Sequence, residues 1–229
     1  GDVFVKQFVE ERELTVLLVV DVSASGEFGT IEQSKRELAA EIAAVLAFSA
    51  IKNNDKVGLI IFSDRIEKFV PPRKGRAHVL RVLRELFYHR PEGRGTDIRG
   101  ALEYLSHVIK RRAVVFLVSD FKAPRFEKPL SVAGRRHDLI AVHLGDQREA
   151  VMPALGYMEF EDAETGELHT VNTADPRFRA EFEKRVARER AELGDIFRHS
   201  RVDTIDIETD RPYVQPLMRF FKEREGRFR

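Results

Sequence analysis

Residues 14–20 (LTVLLVV) are apolar at six of seven positions and run directly into an aspartate at position 21. A strand with one face in water alternates apolar and polar residues. A run without that alternation suits a strand covered on both faces, the situation of a parallel sheet with helices packed on each side. Residues 57–62 (VGLIIF), 113–118 (AVVFLV) and 139–144 (LIAVHL) share the habit. Between these runs lie segments of helical spacing. The first covers 30–53, with apolar positions at Leu38, Ile42, Val45 and Leu46, Thr30 and Gln33 in capping-box register at its start, and Asn53, Asn54 and Asp55 as its stop. A second is marked by Val79, Leu83, Leu86 and Phe87, and a third runs from near Ile98 to Ile109. This alternation predicts an α/β fold: a doubly wound, mostly parallel sheet with helices on both faces. Residues 65–70, followed by Pro71 and Pro72, are expected to form a hairpin with the second strand at an edge of the sheet, where a missing N–H is tolerated.

The rhythm changes beyond Gly145. Residues 157–160 and 168–171 flank 162–166 (DAETG) and are expected to form a β-hairpin excursion near 157–171. A long charged helix over 175–200, packed through Phe178, Phe182, Val186 and Leu193, a last strand over 202–207 and a closing helix over 213–223 complete the pattern. No repeat or linker interrupts it. Residues 14–229 therefore read as one domain, with 1–13 as a leader segment from an upstream region. The run 14–20 is the longest apolar stretch, and a membrane helix needs ~20 such residues, so no membrane span is expected in this chain.

Composition removes several function classes. Lys plus Arg total 39 against 38 for Asp plus Glu, which leaves no global basic field for a nucleic acid partner. The local basic stretches 71–76 (PPRKGR) and 110–112 (KRR) read as solvated rims. The chain has no Cys, which excludes thiolate metal sites and cysteine nucleophiles, and no two of its seven His stand four residues apart. His143, inside an apolar strand, reads as a satisfied core histidine. Residues 26–29 (GEFG) after the first strand form no dinucleotide fingerprint, and no phosphate-binding loop with its Lys occurs.

The candidate chemistry lies where the strands end. Asp21, Ser23 and Ser25 (DVSAS) follow the first buried strand, Thr96 follows the loop 92–95 (EGRG), and Asp120 follows the third. In open α/β sheets ligands bind in the crevice beyond the carboxyl ends of the strands. If the strands are neighbours, three loops bring two carboxylates and three hydroxyls to one rim. Such hard oxygen donors suit Mg²⁺, or equally Mn²⁺ or Ca²⁺. Five protein oxygens leave an octahedral ion one position for a ligand from outside. Each residue also has a local reading: DVSAS as a turn, Thr96 as a helix N-cap with Asp97 in the first turn, Asp120 as a loop cap. The alternative from another class is a metal-dependent phosphohydrolase of haloacid-dehalogenase type, but the second Asp it places two residues after the first is Ser23 here.

Asp21, Ser23 and Ser25, Thr96 in GTD and Asp120 in SDF resemble the metal-ion-dependent adhesion site of von Willebrand factor A domains. Longer segments, FVKQFVEERELTVLLVVDVSAS, NNDKVGLIIFSD, VPPRKGR, GRGTD, FLVSDF and DAETGE, resemble a bacterial von Willebrand A-like family of unknown function often encoded beside MoxR-type AAA ATPases. Gly26 and Glu27 depart from the Met that many A domains place after the second serine. The resemblance implies that Ser23, Ser25 and Thr96 offer hydroxyls to a Mg²⁺ while Asp21 and Asp120 bind it directly or through water. It implies a non-enzymatic protein-interaction module in which a partner protein supplies a carboxylate to the metal, acting with a MoxR-type AAA ATPase in assembling or remodelling other complexes. It also implies a cytoplasmic domain, tethered to the inner membrane in family members through an upstream region.

Overall fold

β1 (Thr15–Asp21) takes an inner place in a six-stranded sheet in the computed structural model, which describes residues 13–27, 33–161 and 166–227. Its side chains alternate between two covers: Val16, Leu18 and Val20 enter one apolar cluster, Leu17 and Val19 the other, and all five are buried. That two-sided burial is what the absence of alternation in the sequence reflects. β1 pairs in parallel with β2 (Lys56–Phe62), and β2 pairs antiparallel with the edge strand β3 (Ile66–Arg73). On its other side β1 pairs in parallel with β4 (Val114–Ser119), which pairs in parallel with β5 (Asp138–Gly145). An antiparallel hairpin, β6 (Tyr157–Glu161) and β7 (Leu168–Asn172), forms a separate two-stranded sheet before β8 (Asp203–Glu208) joins β5 in parallel. The order is β3-β2-β1-β4-β5-β8, mostly parallel as expected.

The helices follow in chain order as α1 (Lys35–Lys52), α2 (Arg76–Phe87), α3 (Ile98–Val108), α4 (Glu127–Arg136), the short α5 (Gln147–Ala150), α6 (Pro176–Ser200) and α7 (Val214–Arg227). Side chains of α1, α2 and α7 bury one face of the sheet, and those of α3, α4 and α6 the other. Gly58 in β2 permits the close approach of the edge strand, since a Cβ there would lie 2.8 Å from both the Leu17 and Pro72 side chains. No helix among the described residues is long and apolar enough to cross a membrane.

The structure moves several boundaries. α1 begins at Lys35, and its capping box is formed by Ser34 and Glu37. The pair expected to open the helix does not: Gln33 precedes the helix and Thr30 lies outside the described residues, as do most of the leader segment and 162–165. A helix, α4, lies between β4 and β5 where the periodicity showed none, because it buries only Leu130 and Ala133. β3 continues through Pro71 and Pro72 to Arg73, as an edge position allows. α6 is anchored at its C-terminal end through buried Phe197, whereas Phe178, Phe182, Val186 and Leu193 are only half-buried.

Candidate functional site

The register of the central strands assembles the site. Val20 in β1 stands level with Val118 in β4, so the two strands end together and Asp21 comes beside Ser119. The Ser119 hydroxyl donates to Asp21 Oδ2 at 2.6 Å, and Asp21 Oδ1 accepts the Ser23 backbone N–H at 2.9 Å. That second bond turns the chain out of the strand into a 3-10 turn, Ala24–Glu27. The turn leaves the Ser23 and Ser25 hydroxyls 3.0 Å apart. Asp21, Ser23 and Asp120 are buried and Ser25 is half-buried. Burial pushes the Asp21 carboxyl up to about 6, and the nearby Asp120 charge adds to this against the hydrogen bonds from Ser119 and Ser23.

Asp120 is set by a second turn. The Ser119 hydroxyl accepts the Phe121 N–H at 3.0 Å, Asp120 Oδ1 accepts the Lys122 N–H at 3.3 Å, and Phe121 adopts a left-handed backbone with φ of 57°. The other carboxylate oxygen, Oδ2, accepts a bond at 2.9 Å from the ammonium of Lys35, which is only 1% exposed. The same ammonium donates to Glu149 Oε1 of α5 at 2.7 Å, and Lys122 reaches that oxygen at 2.8 Å. Burial acts to raise the Asp120 pKa and to lower that of Lys35. Their mutual attraction, with help from Lys122 and Glu149, outweighs it, so Asp120 is held below the usual carboxylate range and Lys35 above the usual amine range.

Thr96 enters from a third loop. Glu67 of β3, whose side chain is 3% exposed, gathers that loop: its Oε1 accepts the Ser63 hydroxyl at 2.6 Å and the Glu92 and Gly93 N–H groups at 3.1 and 2.9 Å. A Cβ on Gly93 would collide with Asp64 Oδ1 and Ser63 Oγ, so a larger residue there would have to displace those side chains. Ala24 N–H then donates to Arg94 O at 2.9 Å, joining the loop to the turn between Ser23 and Ser25, and Asp97 N–H donates to Ser63 O at 2.8 Å. The α3 N-cap is Asp97, whose side chain accepts the Gly100 N–H, so Thr96 does not take the capping role that its position suggested. It lies half-buried just outside the helix.

The structure thus gathers Asp21, Ser25 and Asp120 around one small cavity, holds Ser23 beside it through its bonds to Asp21 and Ser25, and ties the Thr96 loop to its border. The donors are hydroxyls and two carboxylates; among the described residues no group of three or more acidic or His side chains is placed to hold a metal ion. Ser119, Lys35 and Glu67 were not singled out from the sequence. Ser119 had a signal in its place beside Asp120 in SDF. The other two are brought to the site by tertiary pairing alone. Beyond the rim, Asp120, Lys122 and Glu149 border a groove of about 810 Å³ whose apolar wall includes Phe121, Phe126 and Phe182.

Residues 1–192 match the family described as protein of unknown function DUF58. The chain belongs to that family. An uncharacterized protein from Mycobacterium tuberculosis is 31% identical over 223 residues, covering 96% of this chain and 70% of the relative. The magnesium-chelatase 67 kDa subunit of Heliobacterium mobile is 32% identical over 103 residues, 44% of this chain and 14% of that protein. Among solved structures, an aerotolerance-related membrane protein from Bacteroides fragilis superposes with a TM-score of 0.58 at 16% identity, covering 85% of this chain and 91% of the other. At that identity the likeness shows the fold alone. This DUF58 chain has an α/β fold built on a mostly parallel six-stranded sheet, shared with that neighbour, and its candidate site lies at the carboxyl ends of β1 and β4.

Proposed function

We propose that this DUF58 domain is a metal-dependent protein-interaction module. Asp21, Ser23, Ser25, Thr96 and Asp120 would hold a Mg²⁺, with Mn²⁺ and Ca²⁺ sharing the same preference for hard oxygen. The observation that carries the reading is the pair of buried carboxylates, Asp21 and Asp120, set beside two hydroxyls 3.0 Å apart. Asp120 already has Lys35 as its counter-charge, whereas burial of Asp21, with the Asp120 charge beside it, raises the Asp21 pKa to about 6. A divalent ion supplies the positive charge that such a rim favours. Its role when bound would be a fixed charge to which a carboxylate of a partner protein coordinates.

The chain's own residues do the rest. Ser119 orients Asp21, the Asp21–Ser23 bond folds the turn that presents both serines, and Glu67 holds the loop that carries Thr96. Two residues after Asp21 stands Ser23, its hydroxyl bonded to Ser25, where a haloacid-type phosphohydrolase needs an acid. Recognition is therefore the reading adopted, not turnover. One relative is by name a subunit of a magnesium chelatase, which supports work inside a multisubunit assembly. We propose a MoxR-type AAA ATPase as the companion and assembly or remodelling of other complexes as the task.

The test is thermal. After chelator stripping, Mg²⁺ at ~100 times its dissociation constant should stabilise the domain by about 2.7 kcal/mol. For a chain of this size that is a rise in Tm of about 5 to 11 °C. Asp120→Ala should remove most of the rise. A wild-type Tm indifferent to millimolar Mg²⁺ and Mn²⁺ would refute the metal site.

A further inference from the structure

We infer that Lys35 is a tethered counter-cation of this site, and that a divalent ion must compete with its ammonium for Asp120. The inference rests on the metal reading proposed above and deepens it. Lys35 is 1% exposed, among the largest fully buried side chains of the described residues, and its position is built rather than incidental. The Ser34–Glu37 capping box fixes the first turn of α1, and that turn aims Lys35 past the hydroxyl-bearing turn to Asp120 Oδ2 at 2.9 Å. Its second partner, Glu149 Oε1 at 2.7 Å, comes from α5 on the far side. The carboxylates of Asp120 and Glu149 hold its amine in the charged form against the cost of burial.

Three acidic groups, Asp21, Asp120 and Glu149, face two ammonium groups, Lys35 and Lys122, across this cluster, and Arg36 also lines the cavity. One carboxylate oxygen of the proposed ligand set is thus already engaged by an internal cation. A divalent ion that recruits Asp120 adds positive charge beside a buried ammonium, where screening by solvent is weak. The ammonium then retains Glu149 as its partner. Ion binding at β1 and β4 is in this way coupled to α5, which borders the groove beyond the rim. Lys35 is a positioning and affinity-setting residue of this site, not a ligand.

Mn²⁺ binding to chelator-stripped protein, followed by calorimetry and by the electron paramagnetic resonance of free Mn²⁺, tests this on wild type, Lys35→Met and Lys122→Met. Lys122 contacts the same Glu149 oxygen and its loss removes the same charge, but its side chain is 53% exposed and screened. The expected result is Mn²⁺ binding at least about tenfold tighter in Lys35→Met and within about threefold of wild type in Lys122→Met. Equal Mn²⁺ affinity in wild type and Lys35→Met overturns the tethered-cation inference and leaves the metal site standing. No Mn²⁺ binding by either overturns the metal site itself, and this inference with it. Should Lys35→Met fail to fold, wild type gives the answer by nitrogen-15 NMR of the lysine ammonium groups. Saturating Mg²⁺ should shift the Lys35 ammonium signal, and an unmoved signal under demonstrated binding overturns the inference.

Discussion

A buried ionisable side chain either has its charge answered by a partner or gives the charge up, and two residues of this domain show the two outcomes. Lys35 is answered by Asp120 and Glu149. His137, at the C-cap of α4, is 1% exposed, and neither ring nitrogen has a hydrogen-bond partner among the described residues. Burial first, then the positive charges of Arg136 and Arg112, hold the His137 pKa below the ordinary 6.5, so the folded state keeps the ring neutral. The unfolded chain takes up that proton at a higher pH than the folded one. The stability contributed by the neutral ring is therefore complete above the unfolded pKa and is lost as pH falls through about 6.5, at up to ~1.4 kcal/mol per pH unit. Denaturant melts of wild type and His137→Met between pH 7.5 and 5 should show the shallower acid decline in the variant. Parallel declines would show that His137 carries no such linkage.

At the scale of elements, the site depends on β3 although β3 contributes no ligand. Glu67 projects from this edge strand and its carboxylate collects Ser63, Glu92 and Gly93, three donors from two loops. Burial pushes its pKa up, but those hydrogen bonds and the nearby His89 outweigh it and hold the carboxyl below its ordinary value. Glu67→Ala leaves the buried Ser63 hydroxyl and the part-buried Gly93 N–H without their acceptor, at a cost of about 1 to 3 kcal/mol, and loosens the loop that ends in Thr96. Melting without divalent ion should fall accordingly. Mg²⁺ affinity should fall as well, with Glu67→Gln recovering part of both because its amide oxygen still accepts. A variant that melts lower yet binds Mg²⁺ as wild type does would assign Glu67 to stability alone.

For the whole molecule, nearly balanced charge sets what kind of binding can be specific. With 39 basic and 38 acidic side chains there is no global field to attract a partner, and the stretches 71–76 and 110–112 are exposed for the most part. Charge screening over about 8 Å at physiological ionic strength would weaken any contact they make as salt rises. Binding through an ion in the rim should instead vanish with chelator and with Ser23→Ala, and persist in moderate salt. Capture of partners from native lysate, compared with Mg²⁺, with chelator and across a salt series, separates the two. Capture that fades with salt but ignores both chelator and Ser23→Ala places the binding surface on the basic rim.

The sequence alone determined the layered architecture, because burial on both faces leaves its mark directly in runs such as 16–20 and 113–118, whose residues all pack into the two apolar clusters or border them. It also determined where the hydroxyls and carboxylates sit, since Asp21 and Asp120 stand at strand ends and strand ends are legible as the close of an apolar run. α4 was illegible for the converse reason: two buried residues make no periodicity. Tertiary structure decided what each of those groups faces. Ser119 meets Asp21 only because β1 and β4 are neighbours in register, Glu67 reaches the Thr96 loop only because β3 folds back along β2, and Lys35 meets Asp120 across 85 residues only because Ser34 starts the helix in that phase. Local pattern records the solvent on each side of a residue. It does not record which strand is next door, and the charge balance of this site is set by that neighbour.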